Sequence, residues 1–429
     1  MPLEIAQEIL DFIVDYLHDD PTTLRSCSLT SKSLLDSSYH HLFGTLNVKL
    51  TDEWIQHHIR HRRWDDFLAW VTSGPIAVKY VRRLRLGMGD PPSNTAYGRN
   101  TYKELPVLTL QDISKVTRDF PLVEHLELHH IHIDEFEYAL STHANEDSPR
   151  PLSSLSLCSC AFDDLALALP NTLRAIKSTR VTLHRLQCTV LPFVAQGSFG
   201  EQAALSPASS LHRDILPDYL LHTIQNLQII CAFGPRCSPH DKQLFSMMPG
   251  LTPQIYPSLR EFSLLGWGWL DGRNFRTASI ILSLRKATNL RSVTIGISSL
   301  DSRFRPHSKH DTQYLSLLES LPLSVEYIRV DHMALIGDNV EVGTKLPDSN
   351  HLCNVLSRLP ALRSFTFRWG LREQDWGIGI DKILSDQVSR LSPNMAKDGI
   401  LRSECCSLES LYRSTGPVRT SDLDGLFRQ

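Results

Sequence analysis

Residues 259–264, Leu-Arg-Glu-Phe-Ser-Leu, decide the fold, because their pattern returns along most of the chain. An apolar residue is followed by two free positions, a second apolar residue, one free position and a third apolar residue. Alternation of this kind predicts a short strand with one buried face. Weaker copies stand at Leu173-Ile176 and Leu408-Leu411. The full copies are Val81-Leu84-Leu86, Val123-Leu126-Leu128, Leu152-Leu155-Leu157, Ile224-Leu227-Ile229, Leu259-Phe262-Leu264, Leu290-Val293-Ile295, Val325-Ile328-Val330 and Leu362-Phe365-Phe367.

Helical patterns lie between several of these copies and end just before the next strand. They are Asp112–Phe120, Ala278–Thr288, Thr312–Leu321 and Asn350–Leu359. Units that alternate strand and helix bury their apolar faces against their neighbours, with parallel strands on one side and helices on the other. The sequence therefore predicts an irregular α/β solenoid.

The N-terminal residues follow a different pattern. Apolar residues at Ile5, Ile9, Phe12, Ile13, Tyr16 and Leu17 have the three-and-four spacing of one helix face. Asp20-Pro21 predicts the start of a second helix, and a third begins near Thr30–Ser31. Three short helices cannot bury much surface by themselves. We therefore expect this region to pack against the rest of the chain, a partner, or both.

Three motifs follow one another in this region: Met1-Pro2-Leu3-Glu4-Ile5, Leu24-Arg25-Ser26-Cys27-Ser28-Leu29-Thr30-Ser31-Lys32-Ser33 and His40-His41-Leu42-Phe43. Together they resemble an F-box, in the form common among fungal F-box proteins. The repeats that follow resemble the divergent leucine-rich repeats that come after F-boxes. A less regular α/β domain is the alternative for that part of the chain.

The predicted fold class is α/β: an N-terminal three-helix F-box followed by an irregular leucine-rich-repeat-like solenoid of short parallel strands with outer helices. The F-box covers residues 1–45 and the repeat domain residues 76–413. Between them, residues 46–75 form a linker with a strand at 46–48 and a helix at 51–71. Residues 414–429 are predicted to be a flexible tail.

The resemblance implies a substrate-recognition adaptor of an SCF-type E3 ubiquitin ligase. The F-box would bind a Skp-type adaptor and, through it, cullin, while the repeats would bind an unknown protein target. The chain itself would not be an enzyme. By resemblance, the Skp-facing or supporting positions are Pro2, Ile5, Ile9, Leu24, Leu29 and Leu34. Two alternatives stay open: an F-box and repeat scaffold outside any ligase, and an enzyme with an unrecognised site in the long loops.

The free positions of the repeat strands point away from the core and are candidates for target binding. Those with charged or aromatic side chains are Arg83, Arg85, Glu127, Tyr327 and Arg329. Trp267, Trp269 and Trp369 come just after two of the strands, and aromatic residues of this size are common at binding hot spots. The alternative prediction is that these tryptophans pack in the core.

Composition excludes several classes of function. A net charge of -3, with 41% hydrophobic and 21% charged residues, gives no reason to expect nucleic acid or an anionic membrane as partner. No apolar run approaches the roughly 18–20 residues of a membrane span, and the amphipathic, acidic N-terminus is unlike a secretory signal. Nine scattered cysteines indicate reduced thiols in the cytoplasm and/or the nucleus.

The sequence gives little support for a metal site or a catalytic site. His125, His129, His130 and His132 cluster, but no second group of ligands follows at the spacing of a zinc site, so a solvated rim is expected. Cys158 and Cys160 are predicted to pack as small apolar residues. The chain contains no nucleophile elbow, Walker loop or dinucleotide motif. We therefore predict no cofactor.

Overall fold

The structure is a computed structural model, and it describes residues 6–50, 60–74, 76–87, 105–134, 151–163, 165–184, 186–188, 223–231, 254–266, 284–298, 314–333, 349–371, 379–407 and 410. The chain divides into two compact units. The first contains Met1–Asp163 and Asn171–Ser178, and the second contains Asp164–Pro170 and Thr179–Gln429.

The first unit begins with a three-helix module made of α1 (Gln7–Tyr16), α2 (Pro21–Thr30) and α3 (Lys32–Phe43). The predicted caps are present. Asp20 accepts hydrogen bonds from the backbone N–H groups of Thr22 and Thr23, and Pro21 occupies the first helical position, where no N–H is required. Ser31 caps α3 through the N–H of Ser33. Three helices are therefore present where the sequence predicts them.

The rest of the first unit alternates strands with helical segments. Its helices are α4 (Arg60–Thr72) and α5 (Leu110–Asp119), and a 3-10 turn covers Ile76–Tyr80. Its main sheet is parallel and has the strand order β1 (Thr45–Lys49), β2 (Arg83–Gly87), β4 (His125–His129) and β6 (Leu152–Cys158). β3 (Val107–Thr109), β5 (His132–Asp134) and β7 (Ala161–Phe162) form a second, short parallel sheet.

The second unit has a parallel α/β architecture of its own. Its strands pair in parallel in the order β8 (Ser178–His184), β10 (Asn226–Cys231), β11 (Glu261–Gly266), β12 (Ser292–Ser298), β13 (Tyr327–Met333), β14 (Ser364–Leu371) and β15 (Leu401–Ser407). Ser178, the first residue of β8, is assigned to the first unit. A short strand, β9 (Gln187–Cys188), follows β8, and Leu284–Lys286 forms a 3-10 turn. The helix α6 (Leu165–Ala175) has residues 165–170 in this unit and its remaining residues in the first. The helices that lie wholly in this unit are α7 (Tyr314–Glu319), α8 (Ser349–Leu356), α9 (Ile380–Leu391) and α10 (Pro393–Lys397).

The repeat pattern places the core as predicted. In the full copies, the second and third apolar residues lie on the strands and are buried. The register aligns them from strand to strand, as in Leu84, Leu126 and Leu155, or in Phe262, Val293 and Ile328. The predicted parallel α/β architecture is therefore present in both units.

The two weaker copies of the repeat pattern do not mark strands among the described residues. Leu173 lies in α6 and Ile176 just after it, so the predicted strand there is wrong. The strand is β8, which starts at Ser178 and contributes Val181 and Leu183 to the core. Leu408-Leu411 lies outside the described residues. β15 escaped the pattern because Ser403 stands where the other strands carry a third apolar residue.

The predicted helices of the repeats are present with one exception among the described residues. α5, α7 and α8 lie within two or three residues of the expected bounds. Of 278–288, the described part contains a 3-10 turn in place of an α-helix, and the described part of 51–71 is α4. Among the described residues, no helix combines the length and apolar character needed to cross a membrane.

Candidate functional site

The three-helix module joins α1 to α3 through polar side chains. The contacts are spaced one helical turn apart on both helices, so they form a continuous polar seam. The Gln7 amide donates to the Ser33 carbonyl at 2.7 Å. The Ser37 hydroxyl donates to the Asp11 carboxylate. The third contact is between His41 Nε2 and Asp15 Oδ1, at 2.7 Å.

Because the polar side of α1 faces α3, much of its apolar surface faces solvent. Ile9, Phe12, Ile13 and Tyr16 follow the i, i+3, i+4, i+7 spacing and are 47 to 83% exposed. We refer to these four residues as the apolar stripe. Leu29, on α2, is also exposed, whereas Val14 is fully buried in the module. An exposed row of large apolar side chains on a helix indicates a protein interaction site.

The predicted Skp-facing residues divide into three groups. Ile9 and Leu29 are exposed and can touch a partner. Leu24 is only 1% exposed, so it cannot contact the adaptor. It packs inside the module and supports it. Leu34 is partly buried. Pro2 and Ile5 precede the first described residue.

The outward face of the first unit's sheet carries a charged network. The parallel register places Arg85 beside Glu127. Arg83 lies two residues earlier on β2, beside His125, and is exposed. Glu127 Oε2 lies 3.8 Å from Arg85 Nε and 3.1 Å from His129 Nε2. Three of the side chains that the sequence selects for target binding, Arg83, Arg85 and Glu127, are thus neighbours on adjacent strands.

His129 is buried, and the expectation of a solvated histidine rim is wrong at this position. Burial lowers its pKa, but hydrogen bonds to the Cys158 and Glu127 side chains outweigh that effect and raise the pKa of His129 to about 9. The hydrogen bond from His129 in turn lowers the pKa of Glu127, against the opposing effect of burial. The Arg85 guanidinium, 3.4 Å from His129 Nδ1, acts in the opposite direction and lowers the pKa of His129, but it does not outweigh these hydrogen bonds.

The raised pKa predicts how stability depends on pH. Because the folded-state pKa of His129 lies above its ordinary value of 6.5, its contribution is fully present below about pH 6.5 and is lost as pH rises through about 9. Urea unfolding of the unaltered chain and of His129→Gln should therefore differ by about 3 kcal/mol more at pH 6 than at pH 10. Glu127→Gln should reduce the same dependence. A constant difference between the unaltered chain and His129→Gln would contradict the prediction.

Glu127, His129 and Cys158 superficially resemble an acid, base and nucleophile. Cys158 is only 3% exposed, and its sulfur also lies 3.3 Å from the Ser156 hydroxyl. The Cys160 thiol donates to the Leu128 carbonyl, and burial raises its pKa. Both cysteines therefore pack in the interior as predicted, and Glu127 is the member of this cluster that reaches the surface.

The second unit also presents polar groups on its outward face. Tyr327 is exposed, and Arg329 is partly exposed on the same strand. Arg329 Nε lies 3.0 Å from Asp331 Oδ1, whose carboxylate is fully buried. Burial raises the pKa of Asp331, although Arg329 and Arg368 act in the opposite direction. The buried carboxylate holds the Arg329 guanidinium at this face.

Trp369 does not belong to the binding surface, contrary to one of the two readings of the sequence. It is fully buried and faces inward with Phe365 and Phe367, two positions apart along β14. Its indole N–H donates to the Ser403 hydroxyl at 3.1 Å, and its ring stacks on His332 at 4.5 Å between centroids. Trp267 and Trp269 lie in a part of the chain that the structure leaves undescribed.

Across the described ranges, no group of three or more His, Cys, Asp or Glu side chains is placed to hold a metal ion. The chain matches no known protein-family model. No curated protein is significantly similar to it in sequence. Its function must therefore be argued from its own residues.

Proposed function

We propose that the chain is the substrate-recognition adaptor of an SCF-type E3 ubiquitin ligase, with the three-helix module as an F-box that binds a Skp-type adaptor and the repeats as the part that binds a protein target. The observation that carries the proposal is the apolar stripe of α1. The proposal assigns the chain no bond chemistry, and it locates the chain in the cytoplasm or nucleus, where the adaptor and cullin act.

The apolar stripe has the form of a helix that fits into a partner's groove. Complete burial of one large apolar side chain contributes about 1.5–3 kcal/mol, so four of them supply enough free energy for a stable complex after the costs of association. The polar seam keeps this surface available, because the module uses Gln7, Asp11 and Asp15 for its own packing. Leu29 extends the same kind of surface onto α2.

The module is firmly attached to the first repeats. The Tyr80 hydroxyl donates to the Asp36 carboxylate on α3, and this bond, together with burial, raises the pKa of Tyr80 to about 12. The ring of Tyr39 packs edge-on against Tyr80, with centroids 5.6 Å apart. The Arg82 N–H donates to the Gly44 carbonyl at 3.0 Å. These contacts support a role that depends on proximity, since they hold the first repeats beside the module that would bind the adaptor.

Target binding is assigned to the outward faces of the sheets. Arg83, Arg85 and Glu127 present mixed charge in the first unit, and Tyr327 and Arg329 present an aromatic ring and a charge in the second. Mixed charge with few exposed apolar groups suits a protein partner whose specificity comes from electrostatic complementarity.

Replacing Ile9 or Phe12 with aspartate tests the proposal. Each change inserts a charge into the apolar stripe, so we expect retention of a Skp-type adaptor in a pull-down to fall at least tenfold, which corresponds to about 1.4 kcal/mol. Ile76→Asp is the matched control, because Ile76 is an equally exposed isoleucine outside the module. Circular dichroism should show the same helix content in all variants.

Failure of the unaltered chain to retain the adaptor would contradict the ligase function. Retention of other proteins by the apolar stripe would then favour the scaffold function. Equal losses for Ile9→Asp and Ile76→Asp would show that the stripe is not the binding surface.

A further inference from the structure

The second unit contains an open groove where three successive repeats meet. It has a volume of about 560 Å³ and lies beside the ends of α7 and α8 and the 3-10 turn Leu284–Lys286. Its floor is apolar and consists of Leu318, Leu321, Val355 and Leu359, all buried. The four floor side chains are only 1 to 5% exposed, whereas Leu323, at the edge, is 64% exposed and supplies most of the apolar surface that a ligand can reach.

The rim of the groove carries more positive than negative charge. Arg285 and Arg358 are exposed on two sides of it. The Arg285 guanidinium donates to the backbone carbonyl of Glu319 at 3.1 Å, which holds it at the C-terminus of α7. The Glu319 carboxylate is paired with His351 at 3.0 Å. An occupant that combines acidic and apolar side chains would match both the rim and the floor.

The C-terminal part of the sequence contains such a segment. Residues 421–427 read Ser-Asp-Leu-Asp-Gly-Leu-Phe, with two aspartates, three large apolar residues and no cation. The two carboxylates match the charge of the two arginines, and Leu423, Leu426 and Phe427 match the apolar floor. This part of the sequence lies beyond the last residue that the structure describes.

The chain between β15 and this segment is long enough. The groove borders residues just before β13, and β13 lies two strands from β15. With strands about 4.8 Å apart and about 3.3 Å per residue along a strand, the end of β15 is roughly 30 Å from the groove. Residues 408–420 can extend over about 40 Å. The segment can therefore bind within its own chain.

We propose that residues 421–427 bind the groove of the same chain, with Asp422 and Asp424 beside Arg285 and Arg358 and the apolar residues on the leucine floor. The proposal does not depend on the ligase function. It assigns the groove to an acidic and apolar peptide segment, and the tether makes the chain's own segment the occupant at high effective concentration.

Photo-crosslinking of the full chain tests this site. A benzoylphenylalanine residue replaces Phe427, the protein is irradiated at low micromolar concentration, and mass spectrometry locates the crosslinks. We expect crosslinks within one chain to residues 314–325 and 349–359. Leu323→Asp should reduce their yield at least tenfold, while Ile383→Asp, the same kind of change at an exposed apolar residue of α9, should not.

A charge exchange supplies the second measurement. Arg358→Glu should weaken crosslinking, and Asp424→Arg in the same chain should restore it, because the pairing is reversed. Crosslinks located elsewhere, crosslinks between two chains, or a yield that Leu323→Asp leaves unchanged would each overturn the proposal. So would the lack of any crosslink, since a bound Phe427 would lie against leucine side chains that react with the probe.

Discussion

Replacing Trp369 with alanine is expected to lower the free energy of unfolding by about 4 kcal/mol. The side chain is fully buried, stacks on His332 and contacts Phe367, so its removal leaves a large cavity beside β13 and β15. The Ser403 hydroxyl also loses the indole N–H that it accepts. Urea unfolding monitored by circular dichroism measures the change, and amide hydrogen exchange in β13 and β14 localises it.

Tyr327→Ala is the control, because Tyr327 lies on the neighbouring strand β13 and its side chain is exposed on the outward face. Its cost should stay within about 0.5 kcal/mol. Trp369→Phe keeps part of the packing and should cost about half as much as alanine, which keeps the comparison useful if the alanine variant does not fold. A Trp369→Ala variant as stable as the unaltered chain would show that the indole is not a core residue.

Replacing Gly87 with alanine is expected to lower the free energy of unfolding by about 3 kcal/mol. A Cβ atom at this position would collide with the His129 carbonyl oxygen and lie 2.8 Å from the His129 Cβ. Both neighbours belong to β4, which is hydrogen-bonded to β2, so neither can move without breaking the parallel pairing. The glycine is what allows the two strands to approach where the Glu127 and His129 network begins.

Gly74→Ala provides the matched change without the collision. Gly74 has a φ of +68°, but a Cβ there would meet nothing within 4 Å. Only the backbone conformation is disfavoured, at about 1 kcal/mol. Equal losses at Gly74 and Gly87, measured by urea unfolding under the same conditions, would contradict the close approach of β2 and β4.

The strand positions were predictable because each repeat uses three apolar residues at fixed spacing, and a buried parallel sheet demands them. Phe262 and Leu264 illustrate this, since both are buried on β11 and aligned with the equivalent residues of β12. The same pattern did not predict the strands β8 and β15. The helix of Leu173 supplied a false apolar pair before β8, and β15 carries Ser403 where the pattern requires an apolar residue.

The candidate binding residues were less predictable, because the exposure of a side chain depends on how far its strand extends. β14 runs to Leu371, so Trp369 continues the inward alternation of Phe365 and Phe367. The sequence shows that these three residues are spaced two positions apart, but it does not show that the strand continues as far as Trp369. His129 shows the reverse case: it lies on the outward side, yet Glu127 and Cys158 enclose it, and those contacts arise between strands.

The direction of the apolar stripe also depended on contacts between distant residues. The spacing of Ile9, Phe12, Ile13 and Tyr16 predicted one apolar helix face, but not which way it points. Gln7, Asp11 and Asp15 decide this by pairing with residues of α3 that lie 26 positions further along the chain. The Gln7 contact uses the backbone carbonyl of Ser33, which any residue would offer, and the four-residue spacing of Ser37 and His41 indicates a polar helix face without indicating what that face contacts.

The polar seam of the three-helix module has a consequence for the life of a newly made chain. Since α1 exposes its apolar stripe to solvent, the free chain displays a surface that chaperones bind and that promotes aggregation. Under the proposed function, binding of the Skp-type adaptor covers this surface. The proposal therefore implies that the abundance of the chain in a cell follows the supply of the adaptor, and that copies in excess of it are degraded.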